Sequence, residues 1–391
     1  MEAMVGMEAM EAMAMEASID RGSYTRLLRK LSWPIVCGGL ALTSFGQNVP
    51  TILPVPANPL ELVTGPVEAA GTLASRQAAL ELLRHARNRF ATRNAKAPYD
   101  LKVSFTVDSL GQTDYDGAWE MENRFLPGQG HRWTAKTAAG YATTRIFTTG
   151  GTYGEGTASL IPLRLHEAWG LLIDPLPSPA YANRGSIRTA TATYRGSSLT
   201  CVLLSSSRSP ANPAVGRGWD ENEECIEPQS GLLLVHSEVP GRYAVYDYAN
   251  APQLDGRVLP RTITVTEAGR IVSKISVDSL SNLTAAESSL FVPTDSMRTG
   301  GQATAIASAK RISRVHGQGP FTVAMTMRAV CVFGVVTPSG QLVEAHSLQP
   351  SDPNSQAAVE DAKGIDFSPS IPAGPPRQHF VFVIEKFVSS Q

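Results

Sequence analysis

Leu101-Lys102-Val103-Ser104-Phe105-Thr106-Val107 alternates apolar and polar residues without a break. Successive side chains of a strand point to opposite faces, so this stretch predicts a half-buried β-strand. Upstream of Pro98 the period changes. Over residues 70–93, Ala79, Leu80, Leu82, Leu83, Ala86 and Phe90 recur at helical spacing, with Arg84, Arg87 and Arg89 interleaved. Downstream, strand-like segments continue at 116–123, 132–136, 143–149, 187–194, 232–239 and 243–248. The clearest hairpin joins 261–266 to 270–277 through Glu267-Ala268-Gly269. One interruption, at 161–173, places Leu163, Leu165, His166, Trp169 and Leu172 in a pattern that suits a short helix. A leading helix, many antiparallel strands and one inserted helix predict an α+β fold, mostly antiparallel β, built on a large curved sheet.

Outward from this body the organisation changes. Residues 296–320, rich in Gly, Ser, Ala and Thr, read as a linker between a domain at 70–295 and a smaller one at 321–391. In the smaller one, strands are expected at 330–336 and 341–348 around the turn Thr337-Pro338-Ser339-Gly340. A helix is expected at Ser355–Lys363 and a closing strand at 379–388. Five prolines between Pro50 and Pro66 make 47–69 a Pro-rich linker. Residues 1–23, with their Met-Glu-Ala run, read as a disordered extension or a start assigned too early. In 24–46, basic Arg26, Arg29 and Lys30 precede an apolar stretch from Leu31 to Phe45, with small Ser44 and Gly46 before Gln47. That is the layout of a secretory signal, with an uncleaved membrane anchor as the alternative.

The 391 residues carry a net charge of -1, with 42% hydrophobic and 18% charged residues. The apolar share supports packed cores, and the near-neutral balance argues against nucleic acid as a partner. Export implies a disulfide-permissive compartment. Cys201 and Cys225 lie in or beside strand-like runs joined by a polar loop, which fits two neighbouring strands clipped by a disulfide; two buried thiols are the alternative. Cys331, in an apolar run, reads as a core thiol.

Catalytic signatures are missing from the sequence. There is no Gly-x-Ser-x-Gly elbow, and His166-Glu167 lacks the second His that a zinc helix needs. Gly150-Gly151-Thr152-Tyr153-Gly154 lacks the Lys-Ser/Thr end of a phosphate loop and reads as a turn between strands. The seven His residues are scattered singly. Asp220, Glu221, Glu223 and Glu224 read as a solvated acidic loop, with a hard-cation site as the alternative. The expectation is a protein that is not an enzyme and uses no cofactor or metal.

Two stretches resemble known families. Phe333-Gly334-Val335-Val336-Thr337-Pro338-Ser339-Gly340-Gln341-Leu342-Val343-Glu344-Ala345 resembles the hairpin of the TonB carboxy-terminal domain family. Ala357-Ala358-Val359-Glu360-Asp361-Ala362 is similar to its helix, Ile365-Asp366-Phe367-Ser368-Pro369 to its Trp-x-Phe-x-Pro element, and the segment from His379 to Phe387 to its last strand. The body resembles the lipoprotein-localisation (LolA/LolB-like) half-barrels. The likeness lies in the order of the helix, Val103-Ser104-Phe105-Thr106, Gly117-Ala118-Trp119, His131-Arg132-Trp133 and the closing Leu290-Phe291-Val292-Pro293.

The first resemblance implies a cell-envelope protein that offers a sheet edge to an outer-membrane receptor or envelope protein, with His379, Val381, Val383 and Glu385 on the binding strand. The second implies a periplasmic carrier or sensor of lipid or acyl chains, lined by Trp119, Phe125, Trp133, Phe147 and Trp169; plain core packing is the alternative for these five. Both place the protein in the periplasm or envelope of a Gram-negative-type bacterium.

Overall fold

A computed structural model describes residues 51–52, 63–69, 71–90, 92, 95–110, 115–157, 162–205, 217–283, 285–299, 310–316, 325–368 and 379–390. The expected signal at 24–46, the extension before it, and most of both linkers lie outside the described residues.

Among the described residues, β1 (Thr51–Ile52) and β2 (Val63–Ala69) precede helix α1 (Leu73–Arg89). Five strands follow: β3 (Tyr99–Val107), β4 (Gly117–Leu126), β5 (Gly130–Thr137), β6 (Ala142–Thr148) and β7 (Gly151–Gly156). Helices α2 (Leu163–Ile173) and α3 (Pro179–Arg184) come next. Strands resume with β8 (Ser186–Tyr194), β9 (Ser197–Ser205), β10 (Asn222–Glu227), β11 (Leu232–Val239) and β12 (Arg242–Asp247). A two-stranded ribbon, β13 (Gln253–Leu254) with β14 (Arg257–Val258), precedes β15 (Thr262–Glu267) and β16 (Arg270–Asn282). A 3-10 turn over Ala285–Phe291 and helix α4 (Asp295–Thr299) end the body. The last part holds β17 (Lys310–His316), β18 (Met325–Val336), β19 (Leu342–Ser347), α5 (Ser355–Lys363) and β20 (His379–Ser390).

Thirteen strands form one unclosed, curved sheet in the order β2-β8-β9-β10-β11-β12-β15-β16-β3-β4-β5-β6-β7. Its neighbours are all antiparallel. The alternation at residues 101–107 is realised in β3: Leu101, Val103, Phe105 and Val107 are buried while Lys102 and Thr106 are exposed. The buried set faces α1 and α2.

Helix α1 starts at Thr72, whose hydroxyl accepts from the Ser75 amide at 3.1 Å while the Thr72 amide donates to Ser75 Oγ at 3.2 Å. This reciprocal cap satisfies two amides that the first turn would otherwise leave without partners. Ala79, Leu83 and Ala86 form the buried stripe of α1, and Arg87 and Arg89 sit in its last turn, where cations favour the helix dipole.

The last part forms a separate five-stranded sheet along β1-β18-β20-β17, with β19 on β18. Three strands lie in stretches expected as linkers: β1 pairs with β18, β2 pairs with β8 in the large sheet, and β17 runs parallel to β20. The expectation that β20 offers a free sheet edge is therefore corrected. β18 pairs along the whole of it, and β17 pairs from Val381 to Phe387 on the other side. Of the four residues expected to bind a partner, His379 opens the strand, and Val381, Val383 and Glu385 are buried. The physical reason is in the composition of β20. Val381 and Val383 pack with α5 through Ala358 and Ala362, while Phe382 and Ile384 pack on the opposite face with Leu163, Val239 and Phe333. A strand that is apolar on both faces belongs inside a sheet.

Helix α2 is the wedge between the two sheets. Leu165, Ala168 and Leu172 share one helical face and join the core of the body. Leu163 joins the core of the last part.

Candidate functional site: an aromatic face with unpaired donors

Strand register sets the helix-covered face of β3–β7 in rows. One row runs Leu101, Asn123, Trp133, Arg145, Gly154; the next runs Tyr99, Phe125, His131, Phe147, Thr152. Residues directly opposite in a sheet share a face, so each row presents its side chains together.

The five aromatic residues singled out from the sequence all join the core of the body, in different roles. Trp119 is buried, stacks on Phe105 at 5.4 Å between centroids, and donates Nε1–H to the Tyr115 carbonyl at 2.9 Å. It is a satisfied core residue. Phe125 packs on Tyr99 at 5.5 Å and on His131 at 4.7 Å. Trp133, Phe147 and Trp169 form a ladder of near-parallel rings, with centroids 6.4 and 5.8 Å apart and interplanar angles of 15° and 19°. Trp133 is buried; Phe147 and Trp169 are half-buried, at the end of the sheet where β7 is the last strand.

The sequence reading did not single out the polar groups on this face. Arg145 is 5% exposed, and its Nε and Nη1 are buried without an acceptor. Asn123 Nδ2, Trp133 Nε1 and Trp169 Nε1 are likewise buried and unbonded. Burial holds the Arg145 guanidinium below its ordinary pKa, against the opposing influence of Tyr141. Burial also pulls His131 down to about 4, so its ring is neutral at pH 7. A signal for Arg145 was present: it lies two residues before Phe147, and period-two alternation puts both on one face.

The opposite face of the same strands is polar. Lys102, Glu120, Glu122, Lys136 and Asp278 line a depression there, and Lys136 pairs with Glu120 at 2.8 Å.

The acidic run expected as a solvated loop is corrected. Glu221, Glu223 and Glu224 are buried, the last two on β10. Each has its own cation: Arg188 for Glu221 at 2.5 Å, Arg217 for Glu223 at 2.8 Å and His236 for Glu224 at 2.9 Å. Charges taken out of water persist when paired in this way. Cys201 and Cys225, opposite each other on β9 and β10, form a disulfide.

A second polar cluster lies between the two sheets. Oxygen or nitrogen atoms of Glu267, Glu344 and His346 converge within 4.8 Å, a spacing a metal could use. Arg164 and Arg242 already fill Glu267, however, at 2.7 and 2.9 Å from Oε1. Two guanidinium groups at that range repel a further cation, so the cluster is an ion-pair network.

No protein-family model and no curated protein matches the chain. Several solved structures are similar to it. One is the LolA superfamily protein NE2245 from Nitrosomonas europaea, at 10% identity and TM-score 0.33, covering 55% of this chain and 97% of that one. Another is MucB in complex with MucA(peri), at 13% identity and TM-score 0.23, covering 65% of this chain and 68% of that one.

Proposed function

We propose that the protein is a non-enzymatic, exported carrier or sensor of lipid-like ligands, and that the helix-covered face of β3–β7 receives the acyl chain. The observation that carries this reading is the ladder from buried Trp133 to half-buried Phe147 and Trp169. It is a graded apolar surface at the last strand of an unclosed sheet, and apolar clefts with few polar groups suit small hydrophobic ligands. The disulfide supports an oxidising, envelope-type location. The TonB-like reading draws less support, because the strand it needs as a free edge is hydrogen-bonded on both sides.

The test is native mass spectrometry of the full chain purified from bacterial cells without detergent, paired with tryptophan quenching by a brominated fatty acid. Lipid-mass adducts and saturable quenching are expected. A clean apo mass with no quenching would sink the carrier reading and leave the aromatic ladder as core packing.

A further inference from the structure

Among the described residues, four buried arginines divide into two kinds. Arg164, Arg188 and Arg242 each meet a carboxylate within 2.9 Å. Arg145, equally buried, has no hydrogen bond or ion pair among the described residues. Nε and Nη1 of this guanidinium lose their hydration and gain no acceptor in return. Most of the buried unbonded atoms on this face are donors, with Tyr99 Oη in the next row able to donate or accept. Arg145 Nε and Nη1, Asn123 Nδ2, Trp133 Nε1 and Trp169 Nε1 are all donors. Asn123, Trp133 and Arg145 occupy successive positions of one cross-strand row. The next residue in that row is Gly154, which brings no side chain beside the guanidinium.

Unbonded donors gathered on one face of the sheet complement an oxyanion, and a guanidinium favours carboxylate and phosphate geometry. The same Trp133 borders the aromatic ladder, so the anion and an apolar chain would share one site. We infer that Arg145 is the centre of an anionic-headgroup subsite, and that the ligand is a single-chain amphiphile whose carboxylate or phosphate head binds Arg145 while its chain lies along Trp133, Phe147 and Trp169. This rests on the carrier reading for the chain and on the unpaired arginine for the head.

The experiment measures binding to the full chain by titration calorimetry at pH 7.5. The probes are dodecanoate, dodecyl phosphate, dodecanol and inorganic phosphate, against the wild type and Arg145→Met. The two anionic amphiphiles are expected to bind the wild type at least tenfold tighter than dodecanol, and Arg145→Met is expected to erase that difference while still binding dodecanol. The preferred head, carboxylate or phosphate, is read from the same series. Equal wild-type affinity for all three chains overturns the subsite and leaves the carrier reading standing. No binding of any chain, with phosphate bound only by the wild type, supports the anion site and overturns the carrier reading. A stability readout covers folding of the variant. With no counter-ion to lose, Arg145→Met should raise the urea midpoint of the empty protein. A lower midpoint would mean that Arg145 serves the fold, and would overturn the inference.

Discussion

Arg164 on α2 and Glu267 at the end of β15 form a bidentate pair, Nη1–Oε1 at 2.7 Å and Nη2–Oε2 at 3.1 Å, with both side chains buried. Both residues belong to the body, and each also reaches the last part of the chain, Glu267 through His346 at 3.0 Å. Arg164 also lies 3.6 Å from Glu344 of β19, and its guanidinium sits 5.2 Å from the centre of the Phe333 ring of β18. Arg242 donates Nε–H to the same Glu267 oxygen, Oε1, and also pairs with Glu167. Burial opposes the Glu267 charge, but Arg164, His346 and Arg242 overcome it and hold the carboxyl well below the usual range.

Removing one member of such a network strands the others in a dry site. Glu267→Gln should therefore cost about 3–5 kcal/mol. Urea unfolding of the variant checks this, and hydrogen exchange should show faster exchange in β18 and β19 than in β3. With its folded pKa depressed, Glu267 contributes stability above the unfolded value of about 4.3, and that contribution is lost as pH falls through the folded pKa. The variant should therefore lose less stability in strong acid than the wild type. An unchanged urea midpoint would show that the two sheets do not depend on this contact.

His236 titrates in the other direction. Burial disfavours its charge, but Glu224 at 2.9 Å and Glu238 reverse this and lift the ring to about 10. A raised folded pKa means stability fully present below the unfolded value of about 6.5 and lost as pH rises through 10. The unfolding free energy should thus fall between pH 7 and pH 10, by about 1.4 kcal/mol per pH unit at most for this group. His236→Gln should flatten that slope.

The Cys201–Cys225 disulfide closes a loop across a sequence separation of 24. In the chain-entropy model such a closure contributes about 3 kcal/mol. The double variant Cys201→Ser/Cys225→Ser should lower the urea midpoint accordingly, and reductant should shift the wild type but leave the variant in place.

Gly340 ends the β18–β19 turn at φ +87°, where a Cβ would run into the Ser368 backbone. Both the left-handed conformation and the close approach exclude a side chain. Gly340→Ala should destabilise by more than about 1 kcal/mol. Gly196→Ala, at φ +83° with open space around it, is the control for the conformational cost alone. Equal losses in thermal unfolding would show that contact with Ser368 does not matter.

Much of the architecture was legible from period alone. The alternation through Leu101–Val107 predicted a half-buried strand, the helical recurrence from Ala79 to Phe90 predicted α1, and the Ser355–Lys363 helix is found as read. In each, side-chain periodicity is a local property of the backbone. The neighbouring placement of Cys201 and Cys225 was likewise readable from two strand-like runs. Local pattern says nothing, however, about which strand lies beside which. Only the assembled sheet placed β17 against β20 and closed the edge expected there.

Charge follows the same division. Composition determined a near-neutral chain with enough apolar residues for packed cores. Whether Glu224 faces water or His236, and whether Arg145 has a partner, depends on residues far away in the chain. Tertiary structure gave Glu221, Glu223 and Glu224 each a buried cation and left Arg145 without one. A charge is stabilised by whatever lies within a few ångströms of it in space, and sequence order does not specify those neighbours.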